Sequence, residues 1–449
     1  MLDELVWRRR SVVPASGTVP EPDPEACLTL LAMTSAPAGT WAAMAIRAYR
    51  VLFYSATIVI FGVIGQTVAR GWLAREITGS NAGLGAVLLV YGVAMLLSTP
   101  FAGVAADRYP KRTVLMASVA VLMVSSFAVG LAAALGTIAY WMLLVASGVQ
   151  AAAFAFYLPA RLALTSEVVP PSLIQNGLVL TQTSQEAMRV FAPALAGLLI
   201  GVSWFGPGGV FLAAGSASAL ALFFLSRLPR TPPQPLTAVG SPFGQISEAL
   251  AYMRVTPGLG LVAALNIGVV MVAFSYVTFL PTLADDRFRV GAAGYGLMST
   301  AVGVGALLAG LFSARLNGGA RPWQTIGVSS AAFGCSVLLL AVANSFLLAL
   351  CALAGLGASG LVFQTSTQAQ MMRISAPEYH GRLQSLVVLG FSGYGLAALP
   401  LGILADAISL RSTLLCVGAA VLAMTAGYSM LRRRHVPTRR GRAASPARR

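Results

Sequence analysis

The chain has 449 residues, of which 57% are hydrophobic and only 10% are charged. A water-soluble domain carries about 25% charged residues, so this composition excludes a soluble globular fold and requires lipid as the solvent. The net charge of +16 comes from 29 Arg and one Lys against 14 acids; because these cations punctuate apolar runs, they point to membrane topology and against nucleic acid as a partner.

Residues 1–46 mix Arg8-Arg9-Arg10 with Pro14, Pro20, Pro22 and Pro24 and read as a disordered cytoplasmic arm, with Met44 offering a second start. Twelve apolar segments follow: Val51–Leu73, Ala82–Val104, Thr113–Leu135, Thr137–Leu158, Leu178–Val202, Gly208–Leu225, Leu259–Leu280, Ala292–Phe312, Ile326–Val342, Phe346–Gln368, Leu383–Leu404 and Thr413–Met430. A spanning helix needs about 20 apolar residues, and the Gly and Ala content of these runs permits close helix–helix approach. They lack the alternation of a membrane barrel. The expected fold is all-α, with a six-helix bundle over 47–228 and another over 259–431. Between them, 229–258 begins Pro-Arg-Thr-Pro-Pro-Gln-Pro and continues through Phe243–Arg254, read as a cytoplasmic linker with an amphipathic helix at the membrane surface. A basic cytoplasmic tail, 432–449, ends the chain.

The cations set the orientation. With both termini cytoplasmic, the inner loops and ends hold Arg47, Arg50, Arg108, Lys111, Arg112, Arg161, Arg227, Arg230, Arg254, Arg315, Arg321, Arg373, Arg382 and the tail, whereas the outer loops hold only Arg75, Arg287, Arg289 and Arg411. This asymmetry fits an even number of spans in a bacterial inner membrane.

Cys27, Cys335, Cys351 and Cys416 form no CxxC pair, and three of them lie in apolar runs as expected buried hydrophobes. His380 and His435 fall in a loop and in the tail, so neither a metal nor any other cofactor is expected. The chain contains no GxxxxGK[ST] stretch, so ATP is not the direct energy source.

Charges inside a bilayer are costly, and they mark function by default. Glu186 and Arg189 share a helix face at i, i+3 within the polar run Thr181-Gln-Thr-Ser-Gln-Glu186. That run fits either the lining of an aqueous cavity or a solvated helix extension. Glu186 and Asp406 are the candidate proton-coupling acids; Asp406 lies near the outer end of its segment. Gln66, Gln150, Asn266, Tyr276, Gln364 and Tyr394 are candidate cavity residues, with packing between helices as the alternative. Arg70, near the outer end of segment 1, is expected to snorkel to the headgroups.

The halves repeat weakly: Pro171 to Pro193 spans 22 residues and Pro377 to Pro400 spans 23. The loop Gly103-Val-Ala-Ala-Asp107-Arg108-Tyr-Pro-Lys111-Arg112-Thr-Val-Leu115 resembles the one between helices 2 and 3 of the major facilitator superfamily. Gly71 to Ser80, Pro159-Ala160-Arg161, Val169-Pro170 and Arg189-Val-Phe-Ala192-Pro193-Ala-Leu-Ala-Gly197 recur in the order of its enterobactin-exporter and macrolide-efflux branch. The resemblance covers about residues 47–431 and implies two pseudo-symmetric bundles that rock about a midplane site. It implies gating roles for Gly103, Asp107, Arg108, Lys111 and Arg112, with Asp107 bonded to the start of helix 11 when the cytoplasmic side is closed. Arg189, Pro193 and Gly197 resemble the helix 5 motif of exporters. The implied partners are a small-molecule substrate, protons as the coupling ion and the lipid bilayer, and the chain would act as a monomer. The implied activity is export of an amphiphilic compound such as a drug or siderophore. An uptake carrier, or a receptor on the same scaffold, is the alternative.

Overall fold

The computed structural model describes residues 41–228, 248, 251–317, 322–376 and 379–435, and the side chains of 106–107, 257, 312–317, 380–382, 384–392 and 433–435 stand outside that description. The first forty residues, most of the linker, Pro377 and the basic tail therefore lie outside the described residues.

Twelve long helical segments are present among the described residues: α1 Arg47–Thr78, α2 Asn81–Arg108, α3 Lys111–Ala134, α4 Tyr140–Val168, α5 Ile174–Ile200, α6 Gly206–Ser226, α7 beginning Pro257–Ala273, α8 Gly291–Asn317, α9 Pro322–Val342, α10 Phe346–Ile374, α11 His380–Ala407 and α12 Leu410–His435. Helix α7 continues through a 3-10 stretch, Phe274–Phe279, a turn at Leu280–Thr282 and a π turn, Leu283–Arg287. Pro281 lies in this irregular stretch and supplies no backbone donor there.

Local chemistry sets the ends. Gly79 ends α1 at φ 62°, a left-handed conformation that favours glycine. Ser80 then caps α2 by accepting from the Gly83 amide at 3.0 Å. Ser345 caps α10 in the same way. Several helices outrun their apolar segments: α4 continues ten residues past Leu158, and α10 reaches Ile374. Main-chain bonds made inside a helix need no apolar side chain, so a hydropathy boundary marks the bilayer and not the helix end. A 3-10 turn at Ala42–Ala45, inside the stretch read as an arm, packs on α5: the Ala43 amide donates to Asn176 at 3.1 Å.

Among the described residues, ten helices are long and apolar enough to cross a membrane, and Gly393–Ala407 of α11 is a shorter apolar stretch. Helix α5 does not qualify because its first half is polar. Large apolar side chains such as Leu97, Phe101, Trp141, Leu311, Val328 and Leu347 are exposed around the molecule, as a surface solvated by lipid requires. An apolar groove of about 600 Å³ between α3 and α4, lined by Val121, Val124, Trp141 and Val145, opens on that surface. Cys335, Cys351 and Cys416 are exposed rather than buried, since a thiol costs little against lipid.

Helices α1–α6 pack mainly on one another, as do α7–α12, and the two bundles meet chiefly through α2 against α11 and α5 against α8. Glycine sets both seams. A Cβ on Gly395 would lie 2.4 Å from the Leu88 carbonyl oxygen, and one on Gly85 2.5 Å from that of Ala398. A Cβ on Gly197 would lie 2.7 Å from the Ala292 oxygen, and one on Gly303 2.7 Å from the Arg189 oxygen.

Candidate functional site

The bonds between the bundles cluster at one end. Arg75, in the last turn of α1, grips both oxygens of Asp286 at 2.7 and 2.6 Å. Asp406, at the end of α11, accepts from the Asn81 amide at 3.0 Å, its side-chain Nδ2 at 2.8 Å and the Ala82 amide at 2.8 Å. One bundle thus caps a helix N-terminus of the other, where the unpaired amides and the helix dipole both favour an anion. The Thr282 hydroxyl closes the set by donating to Asn81 Oδ1 at 2.7 Å. Deeper in the molecule, the Thr300 hydroxyl donates to the Val190 carbonyl at 2.9 Å. Arg108, Lys111 and Arg112 lie at the opposite end. The molecule is latched at the face that holds Arg75 and Asp406.

Helix α5 carries the polar run on one face. Gln182, Glu186 and Arg189 follow one another at i, i+4 and i+7 and share a face. Gln182 Nε2 donates to Glu186 at 2.9 Å, and Arg189 Nε lies 3.5 Å from the same carboxylate. The Glu186 side chain is 25% exposed and that of Arg189 64%. Of the two readings open for this run, a cavity lining fits better: Arg189 is 15 residues from the start of α5, roughly 22 Å along the helix.

Arg70 does not snorkel. It is 5% exposed and turns inward, where its Nη2 donates to Gln150 Oε1. Its guanidinium carbon lies 5.7 Å from the centroid of the Tyr91 ring. Tyr295 and Tyr394, both from the other bundle, are within electrostatic reach, and the Tyr295 hydroxyl presses on Gly71. Tyr394 and Tyr276 in turn reach toward Arg189. Two arginines and four tyrosines therefore gather where α1, α2, α4 and α5 face α7, α8 and α11.

A family model described as transmembrane secretion effector matches residues 38–446. The chain belongs to that family, within the major facilitator superfamily. This secretion-effector chain is 28% identical to the enterobactin exporter EntS of Salmonella typhi over 303 residues, 66% of this chain and 70% of that one. It is 26% identical to EntS of Shigella flexneri over 348 residues, 76% and 80% of the two chains. Its fold matches the nucleoside transporter NupG with a TM-score of 0.68 at 13% identity, covering 86% of this chain and 99% of that one. A bacterial homologue of the human lysosomal transporter Spinster matches at 0.67 with 15% identity, over 87% and 98%. The chain is accordingly a multi-pass membrane transporter, of a family of transporters rather than enzymes.

The loop motif is held by its own bundle. Lys111 Nζ lies 2.5 Å from Glu167 at the end of α4, and Arg112 donates to the Leu225 and Ser226 carbonyls of α6 at 3.2 and 2.6 Å. Arg108 is exposed, and the Asp107 side chain lies outside the described residues. A Cβ on Gly103 would meet nothing within 4 Å. Arg161, expected in a loop, is inside α4 and 4% exposed. It faces the Tyr157 ring at 5.8 Å and the Gln185 amide, whose oxygen accepts from Arg161 Nη2 at 2.8 Å when turned toward it.

The cavity candidates divide. Gln66 and Gln150 are buried beside Arg70, and Tyr394 is half-buried at the seam. Tyr276 is 3% exposed and packs edge-on to Phe333. Asn266 is buried, and its Nδ2 donates to Thr367 Oγ1 at 3.0 Å, tying α7 to α10 inside one bundle. Gln364 is half-buried. Asp406 serves the latch, its carboxylate committed as acceptor for three N–H groups. Pro193 and Gly197 are buried in α5 against α8, where the Pro193 carbonyl faces Gly296. Tyr91, Tyr295 and the inward Arg70 were missed in the sequence reading. The signal for Arg70 there was a cation near the outer end of an apolar run, which snorkelling explained equally well, and the two tyrosines carried none.

Proposed function

We propose that the chain exports an amphiphilic small molecule, such as a drug or siderophore, across the bacterial inner membrane by alternating access driven by protons. The latch between the bundles, made by Arg75 with Asp286 and by Asp406 with Asn81 and Ala82, carries this reading, since a carrier needs each face to close in turn. The cation-rich end is taken as cytoplasmic on the positive-inside rule, with both termini on that side, so the latched face is the outer one. The enterobactin exporters among the relatives support the outward direction. Glu186 is the acid for proton coupling, because it lies well along α5 beside Arg189 and its side chain remains partly accessible. Asp107, with Arg108 beside it, takes part in closing the cytoplasmic side. The chain works as a monomer.

A compound panel in an exporter-deleted, drug-hypersensitive host, followed by flux in inverted vesicles, tests the proposal. Wild-type protein lowers cellular accumulation of at least one amphiphile, and a protonophore abolishes the effect. Glu186→Gln cuts proton-driven flux about tenfold, within the range for linked sites, while substrate binding persists. Accumulation raised in intact cells would replace export by uptake, and full proton-driven flux in Glu186→Gln would remove its assignment.

A further inference from the structure

The guanidinium of Arg70 is buried at 5% exposure, yet it takes part in none of the ion pairs Arg75–Asp286, Lys111–Glu167 and Arg189–Glu186. Its acceptors are one amide oxygen, from Gln150, and the face of Tyr91. Its Nε has no partner, and neither does Nε2 of Gln66, which is 1% exposed. Gln66 and Arg70 are four residues apart on α1, so the two orphaned donors lie on one helix face. A buried charge without a counter-charge and a buried N–H without an acceptor are both unfavourable. Two such groups side by side lack the same thing, an acceptor bearing negative charge.

The surroundings narrow the chemistry. Tyr91 comes from α2, Tyr394 from α11 and Tyr295 from α8, the helices that form the seam between the bundles. Tyr91 and Tyr394 are half-buried and line the seam beside Arg70. Glu186 pairs with Arg189 and not with Arg70, which leaves the charge of Arg70 unmatched. Flat aromatic ligands stack on tyrosine, and a guanidinium grips carboxylate-like oxygen pairs with parallel bonds.

We propose that Arg70 and Gln66 anchor the anionic oxygen group of an aromatic substrate whose ring packs among Tyr91, Tyr295 and Tyr394. This rests on the reading of the chain as a carrier and names the substrate class it takes. Such a ligand touches both bundles at once, so its departure is coupled to their separation.

The test uses the full-length purified protein, with fluorescein as an aromatic anion and ethidium as an aromatic cation. Fluorescence polarisation measures binding, and proteoliposomes measure flux. Wild type binds fluorescein in preference to ethidium. Arg70→Gln and Gln66→Leu each weaken fluorescein binding by about tenfold or more, as loss of a charge-assisted or buried hydrogen bond does, and Arg70→Lys recovers part of the loss. If Arg70→Gln does not elute as a monodisperse species, Gln66→Leu decides. Preference for ethidium, failure of wild type to bind fluorescein, or wild-type affinity in either folded variant overturns the proposal. Fluorescein binding without flux of any compound leaves the anion site standing and removes the exporter reading. Flux of ethidium without fluorescein binding does the reverse.

Discussion

Lys111 sits in the first turn of α3 with its ammonium 2.5 Å from Glu167, and each side chain is 11% exposed. The motif marks Lys111 as a cation at a membrane face, but its partner lies 56 positions away and belongs to no motif. Removing one member of a buried pair leaves the other charge without compensation, at a cost of about 3 kcal/mol or more. Lys111→Met and Glu167→Gln are each expected to lower the thermal unfolding midpoint of the purified carrier. The double variant Lys111→Met/Glu167→Leu should recover most of the loss, because two matched apolar groups need no pairing. Additive losses in the double variant would show that the two residues act independently. Arg70 differs from Lys111: it is buried as deeply, but no carboxylate meets it. For Asp406 the sequence gives a place near the end of its segment, while its work as a cap for α2 requires the other bundle to be in position.

At the scale of elements, α5 and α11 occupy corresponding places in the two bundles, and each carries an internal proline, Pro193 and Pro400. The repeated proline spacing was legible in the chain; that both helices lie on the seam was not. Gly395 shows how tight that seam is, with its would-be Cβ 2.4 Å from a backbone oxygen of α2. Backbone cannot rotate aside as a side chain can, so Gly395→Leu must force α2 and α11 apart. Overpacking costs about 1–3 kcal/mol, enough to shift a two-state population by about tenfold. A cysteine placed at Thr282, buried at the latched face, should then react faster with a membrane-impermeant maleimide. An unchanged labelling rate would mean that the seam does not hold this face shut.

For the whole molecule, the latch of Arg75 with Asp286 and of Asp406 with Asn81 and Ala82 must break before this face can open. Arg75→Cys combined with Asp286→Cys, in a background with the native cysteines replaced, tests this directly. A short bifunctional thiol reagent should stop transport, while each single cysteine variant treated alike keeps its flux. Transport at the untreated rate in the cross-linked protein would rule out movement at this face. The exposed positions of Cys335, Cys351 and Cys416 make their replacement in that background a small perturbation.

Composition and the spacing of apolar runs determined that this chain lives in lipid as a bundle of twelve helices, because burial in a bilayer is a property each segment has by itself. The ordered motifs determined the family, and the cation pattern supplied the orientation that the proposed function uses. Only the tertiary structure decided which polar groups meet. Arg70 turns to Gln150 and the tyrosines, Asn266 joins two helices of one bundle, and Asp406 reaches across the seam. Such pairings depend on helix rotation and register, set by packing between segments hundreds of residues apart, and no local pattern of residues encodes them.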